Sequence, residues 1–152
     1  MYYLQMSGYG YRKRTCESVT DWFMNRYMPR HSIGLRIIHR GLKRELVYGY
    51  CDVDGDIKRP RDFLIELQSH MNPELYTKTL IHELVHARQW VFGALRQKRG
   101  KMYYGSTKVE DLDYEDQPHE IEAREQEETL YVTYLIETGQ MFPRKNRPRH
   151  LL

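Results

Sequence analysis

The sequence predicts an α+β fold in a single domain, and three observations carry that reading. Three stretches, near residues 15–28, 73–92 and 118–138, carry apolar residues at helical spacing. Between the first two lie short runs rich in Ile, Val, Leu and Tyr, which read as strands. At 152 residues and 40% hydrophobic, the chain is about one domain with a sizeable core.

Residues 1–14, rich in Tyr, Gly and basic residues, read as an irregular lead-in. Thr15 is the expected cap of a helix to about Met28. Val19, Trp22, Phe23 and Tyr27 share one face of it, and Pro29 stops it. Three strand candidates follow, Ile33–Arg40, Glu45–Val53 and Asp62–Leu67. The short links around Gly41 and Gly55 suit a three-stranded antiparallel meander. Asp52-Val53-Asp54-Gly55-Asp56 has the aspartates of a calcium loop, but its Gly comes too early and the closing Glu is missing. It reads as a turn.

The next helix runs from about Pro73 to Phe92. Asn72 is its cap, Pro73 suits its first turn and Gly93 ends it. Ile81, Leu84, Val85 and Trp90 give it a buried side. Within it lies His82-Glu83-Leu84-Val85-His86, a His-Glu-x-x-His motif. Positions i and i+4 share a helix face, so His82 and His86 can point at one metal ion. Glu83 stands about 100° round the helix from His82, given 3.6 residues per turn, within reach of a water on that metal. Zinc suits the set, because it takes neutral imidazole nitrogen and carboxylate oxygen in a tetrahedral shell. Two histidines leave that shell incomplete.

Residues 93–115 show no clear period and read as a long loop with irregular structure of its own. Tyr103, Tyr104 and Tyr114 in it are candidate oxyanion donors, Tyr114 first. Asp116-Gln117-Pro118 then opens a second long helix, which Gly139 ends. Its first turns present His119, Glu120 and Glu122, while Glu125, Glu127 and Glu128 read as a solvated face.

His-Glu-x-x-His on one helix and Glu-x-x-Ala on a second, here Glu120-Ile121-Glu122-Ala123, resembles the gluzincin zinc metallopeptidases. The stretch Pro118–Ala123 is also similar to small phage and bacterial metallopeptidases grouped as SprT-like. The resemblance covers about residues 60–137. It implies a zincin-like fold, Zn2+ held by His82, His86 and Glu120, and peptide hydrolysis with Glu83 as general base. It also implies that the strand Asp62–Leu67 borders the cleft and takes extended peptide by strand addition. There are departures. Arg124 stands where many gluzincins carry Asp. SprT proteins proper use a third histidine, so His119 is a rival ligand. Gln89 and Phe92 occupy the positions where metzincins need Gly and His, which excludes that group.

The net charge of +3 does not by itself imply nucleic acid. Arg88, Arg96, Lys98, Arg99 and Lys101 form a basic run, and residues 143–152 read as a basic flexible tail after a domain of residues 1–142. SprT-like proteins include proteases acting on DNA-bound proteins, so a nucleic-acid-linked protease is a second reading. A non-catalytic metal-binding protein is a third. Cys16 and Cys51 form no Cys-x-x-Cys, and no secretory signal or membrane span is visible, so a cytoplasmic protein is expected (the host cytoplasm if phage-encoded).

Overall fold

The computed structural model describes residues 1–141, and the expected basic tail at 143–152 lies outside the described residues. The fold is α+β in a single domain. Its main sheet has the order β1 (Tyr2–Gly8), β2 (Ile33–Arg40), β4 (Asp62–Gln68) and β3 (Gly49–Val53). β1, β2 and β4 run parallel, and β3 is antiparallel to β4. The helices are α1 (Lys13–Tyr27), α2 (Pro73–Val91) and α3 (Pro118–Glu137).

The core follows from the alternation along β2 and β4. Leu35 lies opposite Phe63 and Ile37 opposite Ile65, so these side chains line one face. A continuous cluster joins them to Val19 and Phe23 of α1 and to Leu80 and Leu84 of α2, all fully buried. Each such side chain contributes about 1.5–3 kcal/mol on burial. Trp22 is only partly covered. Its indole N–H donates to Glu137 at 2.8 Å, and its ring meets Tyr134 edge-on, which ties α1 to α3.

Several expectations need correction. Residues 1–14 are not an irregular lead-in, because Tyr2–Gly8 form an edge strand. Tyr2, Leu4 and Met6 are half-buried while Tyr3, Gln5 and Ser7 are exposed, a period of two inside a Tyr-rich composition. Helix α1 starts at Lys13 with Arg12 as its cap, so Thr15 lies within it. Nor is the sheet a three-stranded antiparallel meander. β2 pairs with β4, which keeps the most apolar strands central and sends β3 to the edge. The second strand is shorter than expected as well. Lys43–Glu45 form a 3-10 turn and Leu46 takes a left-handed conformation, so the strand begins only at Gly49.

A further correction bears on the cleft. β4 is paired on both sides and has no free edge, whereas its neighbour β3 is outermost and carries a free edge, as β1 does at the far side of the sheet. The stretch 93–115 also has a fold of its own. β5 (Leu95–Lys98), β6 (Lys101–Tyr104) and β7 (Thr107–Lys108) make a small antiparallel sheet. Arg99 and Gly100, both at positive φ, turn the β5–β6 hairpin. The turn expected around Gly55 is present, with Asp56 accepting from the Lys58 N–H at 2.9 Å. Among the described residues no helix is long and apolar enough to cross a membrane.

Gly8 closes β1 at φ +101, and a Cβ there would stand 2.0 Å from the carbonyl oxygen of His39. Backbone strain of this kind costs about 1–3 kcal/mol, before the clash with β2 is added. Gly8→Ala is therefore expected to lower the urea midpoint by the equivalent of at least about 2 kcal/mol. A variant as stable as the parent would contradict the β1–β2 register.

Candidate metal centre

Helix α2 is set firmly before it reaches the motif. Asn72 caps it by accepting from the Leu75 N–H at 2.9 Å, and Pro73 occupies its first turn. Leu80, Ile81, Leu84 and Val85 pack into the core, which turns His82 and His86 toward α3. Helix α3 starts at Pro118 with no side-chain cap, so its first N–H groups favour a negative charge in the first turn, where Glu120 sits.

The two helices bring His82, His86 and Glu120 together. One ligand atom from each lies within 4.8 Å of the others. The two Nε2 atoms are 3.2 Å apart, His82 Nε2 is 3.5 Å from Glu120 Oε2, and His86 Nε2 contacts Glu120 Oε1 directly. All three residues are largely buried, and Glu120 Oε2 is buried without a hydrogen-bond partner. Two imidazole nitrogens and a carboxylate oxygen facing one another out of water can share a proton or hold a cation among them. Two imidazole nitrogens and a carboxylate oxygen are the donor set that suits zinc. The residues therefore fit the metal.

Glu83 is 5% exposed and stands outside this trio, on the wall of a cavity of about 500 Å³ beside it. The same wall carries His86, Glu120, Tyr114 and the edge strand β3. Gly49 of β3 allows the approach, since a Cβ there would lie 3.1 Å from Glu83 Oε2. Burial pushes the Glu83 carboxyl up to about 7, although His86 and His82 pull the other way. Burial alone would also raise Glu120, but His82, His86 and Tyr114 outweigh it and hold that carboxyl well below the usual range. For His82 burial opposes the charged ring, and Glu120 with Glu127 overcomes it, raising its pKa to about 10. His86 is raised as well, against burial and chiefly by Glu120.

The rival ligand His119 lines the cavity but lies outside the trio. Its ring is 5.4 Å from that of His86, its Nδ1 is buried without a partner, and burial with the nearby His86 lowers its pKa to about 4. Of the three candidate tyrosines, Tyr114 alone lines this cavity, and Tyr104 is engaged elsewhere, with Glu122. Arg124, the departure from the gluzincin pattern, donates to the Glu115 carbonyl at 2.8 Å and lies over the Tyr114 ring. It thereby secures the turn that carries Tyr114.

Two neighbours of the site were not legible as such. Glu127, read as solvated, places Oε2 3.5 Å from His82 Nδ1. Gln89 accepts at 2.7 Å from His86 Nδ1. The signal for both was spacing, because Glu127 follows Glu120 by seven and Gln89 follows His86 by three, on one helix face each. The basic run is also partly committed within the fold. Arg88 packs over Tyr27 and Phe92, Arg96 donates to the Gly105 carbonyl, and Lys101 lies 3.8 Å from Glu110. No family model, curated protein or solved structure matches the chain.

Two outcomes are expected from this geometry. Glu120→Gln and His82→Ala should each weaken zinc binding by more than the roughly 10–100-fold that is typical for loss of an outer-shell partner, while His119→Ala should change it little. Zinc loss in the His119 variant alone, measured by metal analysis after dialysis, would assign the third ligand to His119. The second outcome concerns protons. His82 and His86 have raised pKa values and must be neutral to ligate, so zinc has to displace protons near pH 7. Calorimetry in buffers of different ionisation enthalpy should find about one to two protons released per zinc. Apparent affinity should rise as pH rises toward 10. Affinity independent of pH between 6 and 8 would contradict the ligand assignment.

Proposed function

We propose that the chain is a zinc-dependent peptide hydrolase of the zincin-like type. The observation that carries this reading is the place of Glu83. It is a buried carboxylate beside three converging ligand atoms, is not one of them, and faces a cavity bounded by a free strand edge. Three protein ligands that leave a coordination position open are the pattern of a catalytic rather than a structural site.

Bound zinc would polarise the scissile carbonyl and lower the pKa of the attacking water. The residues of the chain supply the rest. An extended peptide pairs with the free edge of β3, Gly49–Val53, and so brings its backbone past Glu83. Glu83 takes a proton from the water as its oxygen bonds to the carbonyl carbon. Burial raises its carboxyl above the usual carboxylate range, which strengthens it as a base. Tyr114, which lines the same cavity, is the residue that would donate to the developing oxyanion. Glu83 then returns the proton to the amine nitrogen as the C–N bond breaks. Protein or peptide is thus the substrate class.

The nucleic-acid-linked reading has less behind it, since Arg88, Arg96 and Lys101 are engaged within the fold. A purely metal-binding role is separated from catalysis by one substitution. Glu83→Gln keeps size and hydrogen bonding but removes the base, so zinc content should be retained while turnover of an unstructured peptide falls by on the order of 10²–10⁴-fold. Undiminished turnover would refute the mechanism. A protein that holds stoichiometric zinc and cleaves nothing even with Glu83 intact would support the metal-binding role instead.

A further inference from the structure

We propose that Tyr104, Glu122 and Gln89 form a positioning relay that fixes the ring of His86, making the small second sheet part of the metal centre. The inference rests on the metal-binding reading above and adds to it three residues that touch neither metal nor substrate.

The direction of each hydrogen bond follows from chemistry. The side-chain nitrogen of Gln89 donates to two oxygens, the carbonyl of His119 at 3.0 Å and Oε1 of Glu122 at 2.9 Å. Neither of those can donate in return, so the Gln89 amide has one orientation. Its oxygen therefore faces Nδ1 of His86, 2.7 Å away, and can only accept. Nδ1 must carry the hydrogen, which leaves the lone pair of the neutral ring on Nε2, the atom turned toward His82 and Glu120.

Gln89 is held in turn. Glu122 accepts from Gln89 with one oxygen and from the Tyr104 hydroxyl, at 2.8 Å, with the other. Its charge strengthens both bonds and polarises the amide toward His86. Tyr104 belongs to β6, where Leu95 pairs with it on one side and Thr107 on the other. Three hydrogen bonds thus run from the second sheet, through α3 and α2, to the ring of a ligand. Glu122 also gains a role that accounts for its place outside the ligand trio.

The test is zinc affinity, measured on the full chain by competition with a chromophoric chelator. Gln89→Met should weaken binding by about 10–100-fold, the usual cost of an outer-shell partner. Tyr104→Phe removes one hydroxyl at the partly buried far end and should cost roughly 3–10-fold, less because it acts through two further residues. Tyr103→Phe, its neighbour in β6, should change nothing. A merely structural role would lower the melting temperature of the chelator-stripped protein and leave affinity alone. The ring Nδ1–H of His86, followed by ¹⁵N NMR of the zinc-loaded protein, should exchange slowly in the parent and rapidly in Gln89→Met. If Gln89→Met fails to fold, Tyr104→Phe decides. Affinities within twofold of the parent in Tyr104→Phe would overturn the relay, whatever Gln89→Met does. Should that happen while His82→Ala abolishes binding, the metal centre itself would stand. A parent chain that binds no zinc would overturn both.

Discussion

The constraint on which the structure turns is the meeting of α2 and α3 at three polar side chains. His82, His86 and Glu120 aim their ligand atoms at one another in a region largely shut off from water. Burying an ionised group costs several kcal/mol even after relaxation, and here Glu120 Oε2 has no hydrogen-bond partner. A helix crossing built for stability alone would put apolar side chains there. A shared cation would turn the same cost into cohesion, because it would attract all three donors at once. Its binding would then contribute directly to the free energy of folding.

The rest of the molecule holds that crossing in place. The parallel strands β2 and β4 supply the flat apolar face against which α2 lies, and α1 completes the cover with Val19 and Phe23. The Ser18–Tyr134 and Trp22–Glu137 contacts pin α3 from its far end, many residues from the site. On the open side the edge strand β3 and the small sheet β5–β7 form the two walls of the cavity that contains Glu83. Glu83 therefore lies where the candidate ligands, a free backbone edge and an open cavity meet. Burial gives it a pKa near 7, and that comes from the packing around it.

Much of this arrangement was legible in the sequence. The helix boundaries near Asn72, Pro73 and Gly93 follow from local chemistry, and so do Pro118 and Gly139 for α3. The spacing of His82 and His86 needs only the helical repeat. Pairing across the main sheet was less accessible, because strand order depends on long-range packing. Short Gly-containing links looked like hairpins, yet β2 pairs with β4 while the chain makes β3 between them. β1 carries little strand signal because its alternating side chains are Tyr, Leu and Met on a half-covered face. The second sheet was hidden because Leu95 is its one deeply buried strand residue, too little to set a pattern. Glu127 reads as solvated charge because the sequence does not show which face of an acidic helix meets a neighbour.

The most direct measurement is an anomalous difference map collected at the zinc absorption edge on crystals of the zinc-loaded protein. The expected result is one strong peak between His82 Nε2, His86 Nε2 and the Glu120 carboxylate, at about 2.0–2.2 Å from each, with Glu83 beside the open position and not bonded to the metal. A peak at any other cluster, a peak bonded to Glu83, or no peak at stoichiometric loading would contradict the assignment of this centre.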